Sequence, residues 1–190
     1  MEAKDDNKVS GFLLRELQAI LTLSYGTAVG VGMLFQYQKF SEFGINIFDY
    51  ADVFDFLIAP FSDMTIILFA LASVVISLFF YLLDGYWFRK WKRSYFIFSF
   101  GLHTKPWYPY FKTITFTFLI GYYLYIGADL YGQKAKEKIV ESAPVTIRFV
   151  DNETMTGQFI GKTREVIFLA KGKTVKAVPI VSTVKDFDVR

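Results

Sequence analysis

The chain has 190 residues and a net charge of +3; 53% of it is hydrophobic, 21% is charged, and it contains 22 Phe, 12 Tyr and no Cys. That mixture is too polar for a bare membrane bundle and too apolar for a soluble protein of this size. The missing cysteines exclude disulfides and thiolate metal sites. The single histidine, His103, has no nucleophile elbow near it, so neither an enzyme, a cofactor nor a metal centre is expected.

Residues 1–16 form a mixed polar leader, with Glu2, Lys4, Asp5, Asp6 and Lys8, that is not expected to act as a secretory signal. Three apolar stretches follow, at 17–37, 64–83 and 113–130. None contains Lys, Arg or Glu, and their one acid is Asp129. At ~1.5 Å per residue, ~20 apolar residues cross a ~30 Å hydrocarbon layer. Each stretch therefore predicts a membrane span. In the first, Gly26 and Gly30 make a GxxxG pair, and Ala28 and Gly32 repeat the spacing. Small residues four apart let helices approach closely in lipid, either within one chain or between subunits.

Between spans one and two, residues 48–59 predict a helix of about three turns ended by Pro60. Asp49, Asp52 and Asp55 fall three apart and so share a face. The element is too short to span and is expected to lie at the interface or re-enter the membrane. The acids either line a pore or vestibule, where rings of carboxylates attract cations, or form a solvated face. Residues 84–112 predict a loop that opens on Arg89, Lys90, Lys92 and Arg93 and is broken by Pro106 and Pro109. In span three, Tyr122, Tyr125 and Asp129 share a face; they form either a constriction between copies or an interfacial aromatic belt.

From Pro144 the period changes to two, which is a strand signal. Strands are predicted at 145–149, 154–160, 165–170, 173–180 and 183–189, with turns at 151–153 and Gly172 and a bend or bulge at Gly161. Five short strands in ~46 residues predict a small SH3- or Sm-like barrel. Lys162, Arg164, Lys171, Lys173 and Lys176 make its surface basic. That surface suits nucleotide or nucleic-acid phosphates, anionic lipid headgroups, or water alone.

The expected architecture is thus a membrane α-helical bundle, 1–138, with three spans and one short amphipathic or re-entrant helix, followed by a small all-β domain, 139–190. Lys and Arg number three before span one, one in the first loop, six in the second loop and three just after span three. With three crossings, the positive-inside rule puts the second loop in the cytoplasm and the tail outside. A fourth, partial crossing at 48–59 would leave both termini inside.

The tail run GQFIGKTREVIFLAKGKTVKAVPI resembles the β domain that follows the pore helix in mechanosensitive channels of small conductance. The order of parts, together with Asp49/Asp52/Asp55, the span-three tyrosines and the basic tail, is similar to small channel effectors of bacterial anti-phage systems of the Hailong type. That resemblance implies a tetrameric, cation-preferring channel of the bacterial inner membrane, with a cytoplasmic β domain that takes a nucleotide or DNA oligomer. The rival expectation is a non-conducting anchor that holds a soluble partner protein at the membrane.

Overall fold

The structure, a computed structural model, describes residues 3–172, 174–180 and 184–188, with side-chain surroundings over 15–172, 174–180 and at 184. The helices are α1 Ala3–Ser41, α2 Val53–Ser62, α3 Met64–Lys90, α4 Lys92–Phe98 and α5 Tyr108–Glu141. The strands are β1 Val145–Phe149, β2 Thr154–Lys162, β3 Val166–Lys171, β4 Thr174–Pro179 and β5 Val184–Asp188.

The stretches Arg15–Ser41, Met64–Lys90 and Tyr108–Glu141 are each long and apolar enough to cross a membrane, and only 11–17% of their most apolar windows is buried in the protomer. Several hydroxyls in these helices are satisfied along the helix itself, whereas the buried Ser77 Oγ has no partner among the described residues. Ser73 donates to the Phe69 carbonyl at 2.8 Å, and Thr113, Thr115 and Thr117 donate four residues back at 3.1, 2.9 and 3.0 Å. Such back-bonding lets Ser and Thr sit in an apolar helix without leaving a bare donor.

The helix ends define two poles. Tyr131 of α5 donates to Asp63 at the start of α3, 2.9 Å away, and Lys136 of α5 meets Glu42, just past α1, at 3.2 Å. At the other pole Lys112 of α5 pairs with Asp84 of α3. So α1 and α5 run the same way and α3 runs against them, and the end of α1 lies at the pole of the sheet.

Two expectations about the connections change. Instead of one helix over 48–59, a 3-10 turn Ile47–Asp49 precedes a separate α2, which continues through Pro60 to Ser62. Proline removes the N–H that would bond the carbonyl four residues back, here that of Phe56. Gly32 of α1 lies directly against this carbonyl: a Cβ built on Gly32 would fall 1.8 Å from the Phe56 oxygen. Only glycine permits that approach, and its Cα hydrogens are the weak donors available there. The region 84–112 is likewise mostly helical rather than a loop. Its aromatics pack around Tyr95, with Phe88 at 5.2 Å and Trp87 at 5.9 Å, and the Tyr95 hydroxyl lies 2.6 Å from that of Tyr108. Pro109 falls in the first turn of α5, where no N–H is needed, and so starts a helix rather than breaking one.

The five strands form one antiparallel sheet in the order β4-β3-β2-β1-β5. The first four make a meander, and β5 returns to pair with β1. Asn152 and Gly172 take positive φ, 65° and 64°, in the two tight turns. The expected irregularity at Gly161 is a shift of register between Phe159 and Gly161 of β2.

Strand β3 is buried on both faces. Ile167 and Leu169 join Ile147 in a core internal to the sheet, whereas Phe168 and Ala170 join Ile160, Phe40, Ile45, Ile47 and Phe56 in a core shared with α1, α2 and the segment between them. This is why residues 166–170 read as an unbroken apolar run rather than an alternation. Phe168 packs edge-on to Phe40 and to Tyr50, each at 5.2 Å.

Candidate functional site

The acids of the first connection have specific local work. Asp52 caps α2: its Oδ1 accepts the N–H groups of Phe54 at 2.7 Å and Asp55 at 3.0 Å. Asp55 Oδ2 accepts the N–H of Asp52 at 3.1 Å, which completes a capping box. Asp55 Oδ1 accepts the backbone N–H of Arg164 at 3.1 Å, tying the first turn of α2 to the β2–β3 turn. Asp49 ends the 3-10 turn and accepts from Asn46 at 3.0 Å. The three acids therefore do not form one helical face. The Asp-x-x-Asp spacing ahead of an apolar run was the sequence signal for this cap.

The β2–β3 turn is fixed by Thr163, whose N–H donates to the Val166 carbonyl at 2.8 Å and whose Oγ1 accepts from the N–H groups of Val166 at 3.1 Å and Glu165 at 3.3 Å. Between this turn, the end of α1 and the first turn of α2 lies a cavity of about 610 Å³. Gln36 and Lys39 enter it from α1, Asp55 from α2, Lys162 from the end of β2 and Arg164 from the β2–β3 turn; Phe159 is part of its apolar wall. Lys39 packs beside the Phe40 ring, 5.5 Å from its centroid, and its Nζ is 3.4 Å from where a Cβ on Gly161 would stand. Gly161 also admits the Phe40 ring, which would be 2.9 Å from that Cβ. No acidic side chain bonds Lys39 among the described residues. The Gln36 Oε1 atom is buried with no partner among the described residues.

Beside this cavity Asp63 caps α3 and accepts from the Thr65 N–H at 2.9 Å. Burial pushes its carboxyl up, but the hydrogen bonds from Thr65 and Tyr131 and the charge of Lys39 outweigh it, holding Asp63 below the usual carboxylate range.

The other residues singled out from the sequence lie apart. Lys171 and Lys176 are exposed on β3 and β4, away from the cavity, with Lys176 opposite Leu169. Lys173 lies outside the described residues. Tyr122 and Tyr125 face outward from α5, 60% and 54% exposed, and Asp129 accepts from Gln133 at 2.9 Å. A Cβ at Gly26 or Gly30 would meet nothing within 4 Å, whereas Gly32 holds α2. The small residues that seat α5 are Gly127, against Phe69, and Gly132, against the backbone of Gln38. Sequence reading passed over both, although Gly127 adjoins Ala128 and Gly132 follows Ala128 by four residues, a small-xxx-small spacing.

No family model matches the chain, and no curated protein sequence matches it. Among solved structures, a crystal structure of the pleiotropic translational regulator Hfq aligns at 13% identity over 32% of this chain and 98% of that one, with a TM-score of 0.24. A likeness at that level carries no argument about function.

Proposed function

We propose that the chain is an integral membrane protein of the bacterial inner membrane, assembled from four copies into a cation-preferring ion channel controlled through a small Sm-like β domain. The observation that carries this reading is the core shared by Phe168, Phe40, Ile47 and Phe56. A sheet fused to the ends of membrane helices passes its own displacement to them, and a ligand that binds one arrangement better shifts the balance between arrangements. The open Gly26/Gly30 face supplies a close-packing surface for another copy. The outward Tyr122 and Tyr125 supply the narrow point of a shared axis, and Asp49 and Asp129 the charge that draws cations. An anti-phage role rests on the resemblance of plan alone.

Helix α2 has 10 residues, about 15 Å of helix, and stays at the sheet pole, so it adds no fourth crossing. Three crossings place the basic segment 84–107 and the sheet on opposite sides. Charge counting then favours a cytoplasmic 84–107, whereas the resemblance favours a cytoplasmic sheet. Labelling of a single Cys at Lys171 in intact cells decides between them, because the chain has no native cysteine.

The test of conduction is flux through proteoliposomes together with planar-bilayer recording. Cation-selective currents are expected, with the selectivity reduced in Asp49→Asn/Asp129→Asn. Absence of current under voltage, tension and candidate nucleotides overturns the reading. The second reading, a non-conducting anchor for a soluble partner, is favoured by Asp52 Oδ1 and both oxygens of Asp55 being engaged inside the protomer. A monomeric particle in detergent would select it.

A further inference from the structure

We infer that the cavity between the end of α1 and the β2–β3 turn is a binding site for a phosphate group, held by Lys39, Lys162 and Arg164. Three cations against one carboxylate leave its lining two charges positive. The carboxylate, Asp55, already accepts an N–H on each oxygen, from Asp52 and from Arg164, so its charge is turned into the protein's own backbone. Arg164 uses only its backbone N–H in that bond, which leaves its guanidinium fork for two oxygens of a phosphate.

Lys39 supplies the second observation. It is half-buried at the end of an apolar helix and has no bonded acid among the described residues. The charge of Asp63 acts on it only from beyond contact. A cation in that position lacks a counter-charge that a bound anion would provide. The buried, unpartnered Gln36 Oε1 lies in the same lining; with its amide turned over, Gln36 offers a further N–H donor. A volume of about 610 Å³ exceeds a bare ion and falls in the range of organic ligands. The apolar walls, including Phe56 and Phe159, suit the organic part of a phosphate ester. Because Lys39 comes from α1, Lys162 from the end of β2 and Arg164 from the β2–β3 turn, the bound phosphate ties the membrane helix to the β domain. The site stands whether or not the assembled protein conducts ions.

Two sources share this chemistry, the headgroup of an anionic lipid and a soluble organic phosphate. The full chain in an uncharged detergent is titrated with dioctanoyl phosphatidylglycerol, with ATP, and with dioctanoyl phosphatidylcholine as the zwitterionic control, following affinity and the unfolding midpoint. Saturable binding of phosphatidylglycerol alone assigns a lipid headgroup, and binding of ATP alone assigns a soluble ligand; either supports the site. Lys39→Met/Arg164→Gln is expected to weaken binding at least tenfold, and Lys171→Gln/Lys176→Gln, which removes the same charge from the sheet elsewhere, less than twofold. Should the first variant fail to fold, the exposed Lys162→Gln tests the same cavity, with a threefold or greater loss expected. Binding of neither anionic probe overturns the inference, as does equal binding of the zwitterionic control. An equal loss in both double variants, or no loss in Lys162→Gln, also overturns it.

Discussion

The two halves of α1 differ sharply although they form one continuous helix. From Arg15 to Thr27 every residue is exposed, whereas from Val29 onward the helix buries Val29, Gly32, Phe35, Gln38 and Phe40 against α2, α5 and the sheet. Both halves are apolar, so hydrophobicity alone does not separate them. What separates them is what each apolar face meets. The second half packs on its own chain; the first half, together with the open Gly26/Gly30 face at the junction, presents an uncovered surface that lipid or another copy can cover.

The largest effect is expected where the packed half is tightest. Gly32→Val places a Cβ on the Phe56 carbonyl oxygen, and backbone cannot yield as a side chain does. A loss of at least about 3 kcal/mol is expected, read as thermal or denaturant unfolding in detergent. A change under about 1 kcal/mol would show that α2 is not locked to α1. The exposed half should respond in the opposite manner. Gly26→Leu/Gly30→Leu should leave the protomer's unfolding within about 0.5 kcal/mol of the parent while weakening self-association roughly tenfold, about 1.4 kcal/mol, by mass measurement in detergent. Unchanged association assigns that half to lipid.

The smallest effect concerns Asp63, which reports on the packed pole through pH. Its carboxyl is held below the ordinary ~3.9 of an unfolded chain, so its contribution is present above that value and lost as pH falls through the lowered one. Because Asp63 is part-exposed, solvent screening limits the contribution to about 1 kcal/mol or less. Asp63→Asn should flatten the acid limb of the unfolding midpoint between about pH 5 and pH 2, and a steep limb that persists would place the titration elsewhere.

The three long apolar helices and the strands were legible because both follow from local pattern. Length and the absence of charge mark the helices, and Val145, Ile147 and Phe149 alternate as a half-buried strand should. Strand β3 was legible as apolar but not as two-faced, since its second face meets Phe40 and Phe56, more than a hundred residues earlier. The role of Asp55 was hidden for the same reason. Spacing places it near Asp52, but nothing local announces that the N–H of Arg164 would reach it. Pro60 misled as a helix stop because the missing N–H is compensated by Gly32 of another helix. Lys39 entered the sequence reading only as the one positive charge of the first loop, because its seclusion depends on Gly161 of the sheet.

The shared core also sets an order of events during synthesis. Phe40, Ile47 and Phe56 leave the ribosome more than a hundred residues ahead of Phe168, which covers them. At ~5–20 residues per second the interval is on the order of ten seconds. Throughout it the nascent chain displays the apolar surface of Phe40, Ile47 and Phe56 without the strand that closes it, so a chain ending before β3 is expected to leave that surface uncovered.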